Sequence, residues 1–167
     1  MKNTYKVLDL FCGAGGLSLG FKLAGFDIVG GVEWDSAAME THKKNFKSKF
    51  EFCGDIKDIS DEEIKEKLSN VDIIIGGPPC PDFSIGGKNR GREGDNGKLS
   101  LSYIQLIKAH NPDFFLFENV KGLWRTVKHR EFYEELKKDL IASGYVLTDR
   151  LTNALEYGAP QDRDRIL

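Results

Sequence analysis

The chain lacks most of the features that would set it outside the ordinary globular class. It has only three cysteines in 167 residues. Cys12, Cys53 and Cys80 are far apart and form neither a CxxC pair nor a zinc-ligand spacing, which excludes a disulfide scaffold and gives no metal site. Free thiols in a reducing cytoplasm are the simplest reading, with Cys12 and Cys53 as packing residues. No apolar run approaches the roughly 20 residues needed to cross a bilayer, and the polar start Met1-Lys2-Asn3-Thr4 is not a signal peptide. Net charge is only −2, so the charge total makes no case for nucleic acid. There is no GxGxxG fingerprint, and the missing Walker lysine motif disfavours phosphoryl transfer. Internal repeats and domain linkers are absent too. What remains, 40% hydrophobic and 30% charged residues, suffices for one domain with a sizeable core.

The periodicities alternate between two types. Strand patterns are predicted at Tyr5 to Phe11, Phe26 to Val32, Phe50 to Cys53, Val71 to Ile75, Phe114 to Phe117 (a fully buried strand) and Val146 to Asn153, with a seventh starting at Ile166. Helical patterns lie between them, at Leu17 to Leu23, Ser36 to Phe46, Asp61 to Leu68, Leu99 to Ala109 and Glu131 to Ser143. Gly25 and Gly144 stop two of these helices, and Asp35 or Ser36 caps another. Gly86 to Gly97, rich in glycine and charge, reads as a mobile loop. Strands alternating with helices across short turns give an α/β class: an open, mostly parallel, doubly wound sheet with helices on both faces. Such sheets bind ligands beyond the carboxyl ends of their strands. Phe11-Cys12-Gly13, Glu33, Asp55, Cys80 and Glu118 all fall at such ends.

Two of these ends carry chemistry in their residue types. Val71 to Ile75 runs into Gly76-Gly77-Pro78-Pro79-Cys80-Pro81, and prolines with fixed φ and no N–H cannot continue a sheet. That places a thiol on a stiff loop at a strand end. Gly13, Gly15 and Gly16 sit between the first strand and first helix, where backbone can approach a ligand and helix N–H groups can meet an anion. Glu33, about 20 residues further on, fits a ribose diol. Asp55 suits an exocyclic adenine amine or, equally, a turn cap. Charge is uneven along the chain: Lys88, Arg90, Arg92 and Lys98 follow the cysteine loop, while Lys121, Arg125, Lys128 and Arg130 follow Asn119 with no acid between. Either group reads as a solvated loop or as a phosphate-holding surface.

Four motifs in order, Asp9-Leu10-Phe11-Cys12-Gly13-Ala14-Gly15-Gly16, Gly76-Gly77-Pro78-Pro79-Cys80, Glu118-Asn119-Val120 and Tyr157 to Arg165, span nearly the whole chain. Together they resemble the DNA cytosine-5 methyltransferase family. The resemblance implies a Rossmann-like S-adenosylmethionine-dependent fold, with S-adenosylmethionine as methyl donor, S-adenosylhomocysteine as product and no metal. Phe11, Gly13, Gly16, Glu33, Trp34, Asp55, Ile56 and Pro78 would bind the donor. Cys80 would add to carbon 6 of cytosine, which turns carbon 5 into a methyl acceptor. Glu118 would protonate or hydrogen-bond ring N3, and Arg163 and Arg165 would support the cytosine carbonyl and the nucleophile. The partner would be double-stranded DNA with its target base flipped out, held through phosphate contacts from Ser84, Lys88, Arg90, Arg92 and Lys121. A restriction–modification setting and a cytoplasmic location go with the same resemblance.

Three departures qualify it. Pro81 stands where the family usually has glutamine. Ser102 and Gln105 occupy places that commonly hold an acid and an arginine. The sequence stops at Leu167, so residues 1–167 are expected to be a truncated catalytic and cofactor-binding domain, its sheet incomplete at the C-terminal end. The target-recognition region would be absent, left to a second polypeptide or to the rest of a longer chain, and the isolated chain would have little or no activity. The competing readings are an RNA cytosine methyltransferase, a non-catalytic remnant that binds cofactor or DNA and, most distantly, a NAD-dependent oxidoreductase.

Overall fold

The computed structural model describes residues 4–68, 70–79, 95–125 and 127–167. They divide into two compact units, Met1–Gly77 with Gln105–Leu116, and Pro78–Ile104 with Phe117–Leu167.

The first unit is built on a five-stranded sheet of order β3-β2-β1-β4-β5, formed by β1 (Lys6–Leu10), β2 (Asp27–Glu33), β3 (Phe50–Cys53), β4 (Ile73–Gly76) and β5 (Phe114–Phe117). The β1–β2, β1–β4 and β2–β3 pairs are parallel, so the carboxyl ends of these strands share one edge. β1 lies mid-sheet and is covered on both faces, with Val7, Leu8 and Leu10 fully buried. Each such side chain contributes about 1.5–3 kcal/mol of apolar burial. Val7, Ile28, Ile73 and Ile75 form one core face, against which Leu17 and Phe21 of α1 (Gly16–Leu23) and Phe46 of α2 (Ser36–Phe46) pack. The expected Asp35 cap of α2 is present, accepting the N–H of Ala38 at 2.8 Å. Ser60 likewise caps α3 (Asp61–Lys67). The last turn of α4 (Asp95–His110) is tied to α3 by His110, whose Nδ1 stands 2.6 Å from Asp61 Oδ1.

The second unit holds a small sheet of order β6-β8-β7, made of β6 (Asn119–Val120), β7 (Leu151–Asn153) and β8 (Asp164–Ile166), antiparallel throughout. Two helices, α5 (Lys121–Arg125) and α6 (Val127–Ala142), follow β6.

Several expectations need correction. β5 is not fully buried: Phe114 is exposed and the other three residues are half-buried, because the strand forms the sheet edge. Cys53 is exposed rather than packed, while Cys12 is buried as expected. The sixth strand shrinks to Leu151–Asn153, with Val146 almost wholly exposed. The basic run after Asn119 is helical, and α4 starts four residues earlier than predicted. The predicted loop, as far as Gly94, lies outside the described residues. No helix among the described residues is long and apolar enough to cross a membrane.

Candidate active site

In the first unit, the turns after β1, β2 and β3 gather Phe11, Gly13, Gly16, Glu33, Trp34, Asp55 and Ile56 along one sheet edge. The turn after β1 doubles back at once: Gly15 N–H donates to the Cys12 carbonyl at 2.9 Å, and Gly15 then caps α1. Three residues in it have positive φ: Phe11 at 62°, Gly13 at 54° and Gly15 at 98°. For a bulky residue such as Phe11 this conformation is costly and persists only where surrounding structure enforces it. Gly15 is confined twice over, since a Cβ there would lie 2.2 Å from the Phe46 ring. Around Gly13 and Gly16 the space is open, with nothing within 4 Å of an added Cβ.

Glu33 holds this turn in place. One carboxylate oxygen accepts the Gly13 N–H at 2.9 Å, and the other accepts those of Trp34 and Asp35, each at 3.0 Å. A carboxylate has about four acceptor positions, and three are taken by these N–H groups, so the side chain can organise the turn and still receive one hydroxyl of a diol. Trp34, next in sequence, is 80% exposed. An aromatic face left in solvent beside a carboxylate, near an open glycine turn and a helix N-terminus, fits an adenosyl group. Asp55 caps the 3-10 turn Ile56–Asp58, accepting the Lys57 N–H at 3.0 Å, and lies 3.6 Å from the Lys57 ammonium. The cap reading of Asp55 is therefore real, and an adenine contact would be additional to it. Ile56 beneath it is buried.

In the second unit, β8 pairs with β6 so that Arg165 lies opposite Val120. That register brings the Arg165 guanidinium to the residue before β6, with Nε 2.7 Å from Glu118 Oε1. Both side chains keep about a quarter of their surface exposed (22% and 25%), so both can meet a ligand. Asn119 is buried, donating from Nδ2 to the Pro78 carbonyl at 3.4 Å and accepting the Val120 N–H at 2.8 Å. It thereby ties the buried Pro78 to the strand that follows Glu118. Arg163 precedes β8 and is exposed, its carbonyl accepting the Ala154 N–H. The structure thus brings Arg165, and not Arg163, to Glu118.

Lys121 is ion-paired with Asp164, whose carboxyl is held below its ordinary value by that ammonium and by Asn153. A phosphate contact from Lys121 would have to compete with this pair. The acid-free run after Asn119 is also balanced in space: Arg125, Arg130 and Lys138 share a shallow groove with Glu131, Glu134 and Glu135. Ser102 donates back to the Lys98 carbonyl of its own helix, and Gln105 is exposed. Cys80, Ser84, Lys88, Arg90 and Arg92 lie outside the described residues. Among the described residues, no group of His, Cys, Asp and Glu is gathered to hold a metal ion.

Sequence reasoning missed Asn119 as a tie and a buried polar group behind the glycine turn, formed by Asp9, Ser18 and His42. The signal for the latter was an acid among the buried apolar residues that follow Lys6 in β1.

Comparison with known proteins identifies the family and the fold. A family model described as C-5 cytosine-specific DNA methylase matches residues 5–167. The chain is 48% identical over 178 aligned residues to the type II methyltransferase M.NmeDI of Neisseria meningitidis serogroup C, covering 96% of this chain and 42% of that protein. It is 43% identical over 161 residues to M.FnuDI of Fusobacterium nucleatum, covering 96% and 45%. A prophage-encoded E. coli protein described as a DNA modification methyltransferase superposes with a TM-score of 0.82 at 35% identity, covering 98% of this chain and 45% of that one. The chain therefore spans less than half the length of these relatives. With matching sequence from Tyr5 to Leu167 and the matching fold, the chain belongs to the C-5 cytosine-specific DNA methylase family.

Proposed function

We propose that this chain is the donor-binding and nucleophile-bearing portion of a DNA cytosine-5 methyltransferase, acting on a flipped-out cytosine through a covalent bond to Cys80. The observation that carries the reading is the Glu118–Arg165 ion pair at 2.7 Å, which joins two motifs 47 positions apart. It supports a carboxyl group paired with a guanidinium and available to a ring nitrogen.

S-adenosylmethionine, when bound, supplies an electrophilic methyl group on a cationic sulfur. The glycine turn, the Glu33 carboxylate, Trp34 and the Asp55–Ile56 turn are the groups that would hold it. In the unreacted ring, cytosine carbon 5 is a poor nucleophile. The Cys80 thiolate forms a bond to carbon 6, and the electron pair released toward carbon 5 makes that carbon able to accept the methyl group. Glu118 gives its proton or a hydrogen bond to N3, where negative charge develops, and Arg165 orients the carboxyl. Once carbon 5 is methylated, its proton leaves to a base, the carbon 6–sulfur bond breaks, Cys80 departs as thiolate, and any proton given to N3 returns to Glu118, restoring the neutral aromatic ring. A base stacked in a duplex cannot reach such a site, so it must be flipped out. Ser84, Lys88, Arg90, Arg92 and Lys121 are proposed to hold phosphates, which positions DNA without reading sequence. The length of the relatives outside this match is proposed to supply target recognition, in the same or in a second polypeptide.

The test is a duplex containing 5-fluorocytosine, incubated with the chain and S-adenosylmethionine, with and without the remaining portion supplied from a relative. Fluorine cannot leave as the proton does, so the covalent bond persists on a denaturing gel. The expected result is an adduct that needs Cys80 and the added portion, while Cys80→Ala still binds S-adenosylmethionine. An adduct with Cys80→Ala, or preferential methylation of tRNA over duplex DNA, would overturn the assignment. Sequence-specific transfer by the chain alone would overturn the need for the remaining portion.

A further inference from the structure

We propose that Asp9, Ser18 and His42 form a buried, reversible hydrogen-bonded line that holds the first turn of α1 and so sets how firmly the glycine turn receives the donor. The proposal rests on the donor-binding reading above. All three residues are closed to solvent, at 1%, 0% and 0% exposure, so they act as positioning residues and touch no ligand.

Ser18 is the third residue of α1, and its N–H is one of the first-turn groups with no partner inside the helix. Asp9 Oδ2, from the middle of β1, accepts that N–H at 3.1 Å and the Ser18 hydroxyl at 2.6 Å. On its far side, Ser18 Oγ stands 3.1 Å from His42 Nε2. The His42 ring stacks beside Phe46, with centroids 4.5 Å apart, and forms the wall behind the turn. A Cβ added at Gly31 would come within 2.7 Å of it, and one at Gly15 within 3.1 Å. One line therefore reaches from the central strand through the helix start to the residues that shape the glycine turn.

The direction of the line depends on a single proton. With Asp9 ionised, the Ser18 hydroxyl donates to it, leaving Ser18 Oγ to accept from His42 Nε2–H. With Asp9 protonated, the acid proton goes to Ser18 Oγ and the hydroxyl turns to donate to His42 Nε2. The ring proton then sits on Nδ1, which is 3.7 Å from Glu51 Oε1. Asp9 Oδ1 accepts no hydrogen bond, so that end of the line is free, while at the other end the Glu51 carboxylate favours a proton on His42 Nδ1. The titratable groups acting on it are Glu33 from β2, Cys12 from the turn and Glu51 from β3, all of them acids or thiol. Burial pushes Asp9 up to about 7 against the two Ser18 hydrogen bonds, with Glu33 adding to the rise. Burial lowers His42, which Glu51 opposes. Bonds to a charged acceptor are stronger than those to a neutral one, so the two Ser18 bonds tighten locally as pH rises through about 7, while ionising the buried carboxyl lowers the stability of the fold as a whole.

The test has two readouts on the full chain, at pH 6 and pH 8.5, for wild type, Ser18→Ala and His42→Gln. Amide hydrogen exchange of residues 13–19, corrected for the intrinsic rate, needs no ligand. Calorimetric affinity for S-adenosylmethionine reports the consequence. Wild type should bind several-fold more tightly at pH 8.5, with Ser18 gaining protection relative to the other amides of β1 and α1, which lose it as the fold weakens. Ser18→Ala should bind roughly tenfold more weakly at pH 8.5, lose the protection and lose the added pH response. His42→Gln, which can still bond Ser18, should keep most of the affinity at pH 8.5. Ligand titration is common to all three proteins, so the difference between profiles is what counts. Identical profiles in wild type and Ser18→Ala, or unchanged exchange at residues 17–19, would overturn the proposal. If wild type binds no S-adenosylmethionine, the donor reading fails, and the exchange data still decide the line.

Discussion

In the first unit the groups proposed to bind the donor stand on a strand buried on both faces, and a carboxylate stitches the turn through three backbone N–H groups. In the second, the proposed acid stands beside strands of two or three residues, cross-linked by partly exposed ion pairs between Glu118 and Arg165 and between Lys121 and Asp164. The difference teaches where rigidity comes from. Apolar burial and backbone hydrogen bonds fix the first region independently of salt. Surface ion pairs contribute about 0–1 kcal/mol each and weaken with ionic strength, so the second region is held loosely by comparison.

Four predictions break or sharpen that contrast. The largest effect concerns Asp9. The unfolded carboxyl loses its proton near 3.8, whereas the folded one keeps it up to about 7. Its contribution is fully present below 3.8 and is lost as pH rises through 7, a difference of roughly 4 kcal/mol. Denaturant titrations from pH 4 to 8 should show Asp9→Asn gaining on wild type by a sizeable part of that amount as pH rises; a constant difference would refute it. Next, Gly15→Ala must place a Cβ 2.2 Å from Phe46 at a φ of 98°. It should cost about 2–4 kcal/mol, whereas Gly13→Ala, in open space at a φ of 54°, should cost about 1 kcal/mol. Equal melting temperatures for the two variants would show that the turn relaxes freely.

The third prediction turns to the second unit. Arg165→Ala should change global stability by less than about 1 kcal/mol, yet lower the yield of 5-fluorocytosine adduct by about 100-fold. Unfolding curves and gel densitometry on the same samples separate the two effects; parallel losses would make Arg165 structural. The smallest effect is that of salt. Raising ionic strength from about 0.05 to about 0.5 M should speed amide exchange in residues 119–120 and 164–166 by about two- to threefold and leave residues 6–10 unchanged. An equal response in both regions would erase the contrast.

The legibility of the chain follows the same division. Strands β1 to β4 and helices α1 to α3 could be read locally, since their apolar periods, and a cap such as Asp35, lie within a few residues of each other. The glycine turn and Glu33 were legible as a pair because parallel strands put successive carboxyl ends on one edge. β6 was not, and β7 and β8 only in part, within Val146 to Asn153 and at Ile166, because each is too short to show a period and is bounded only by pairing across up to 47 positions. The apolar run Phe114–Phe117 looked interior because sequence carries no mark of being last in a sheet. Arg163 and Arg165 looked equivalent by spacing; the start of β8 between them decided which one meets Glu118.

The sequence by itself determined the family and the order of most strands and helices, and it singled out the residues proposed for methyl transfer, because motifs and periodicities are local properties of the chain. Tertiary structure alone decided that Glu33 organises the glycine turn, that Arg165 pairs with Glu118, that Cys53 is exposed, and that Asp9 reaches His42 through Ser18. Each of these depends on distance between segments remote in sequence, and only packing sets that distance.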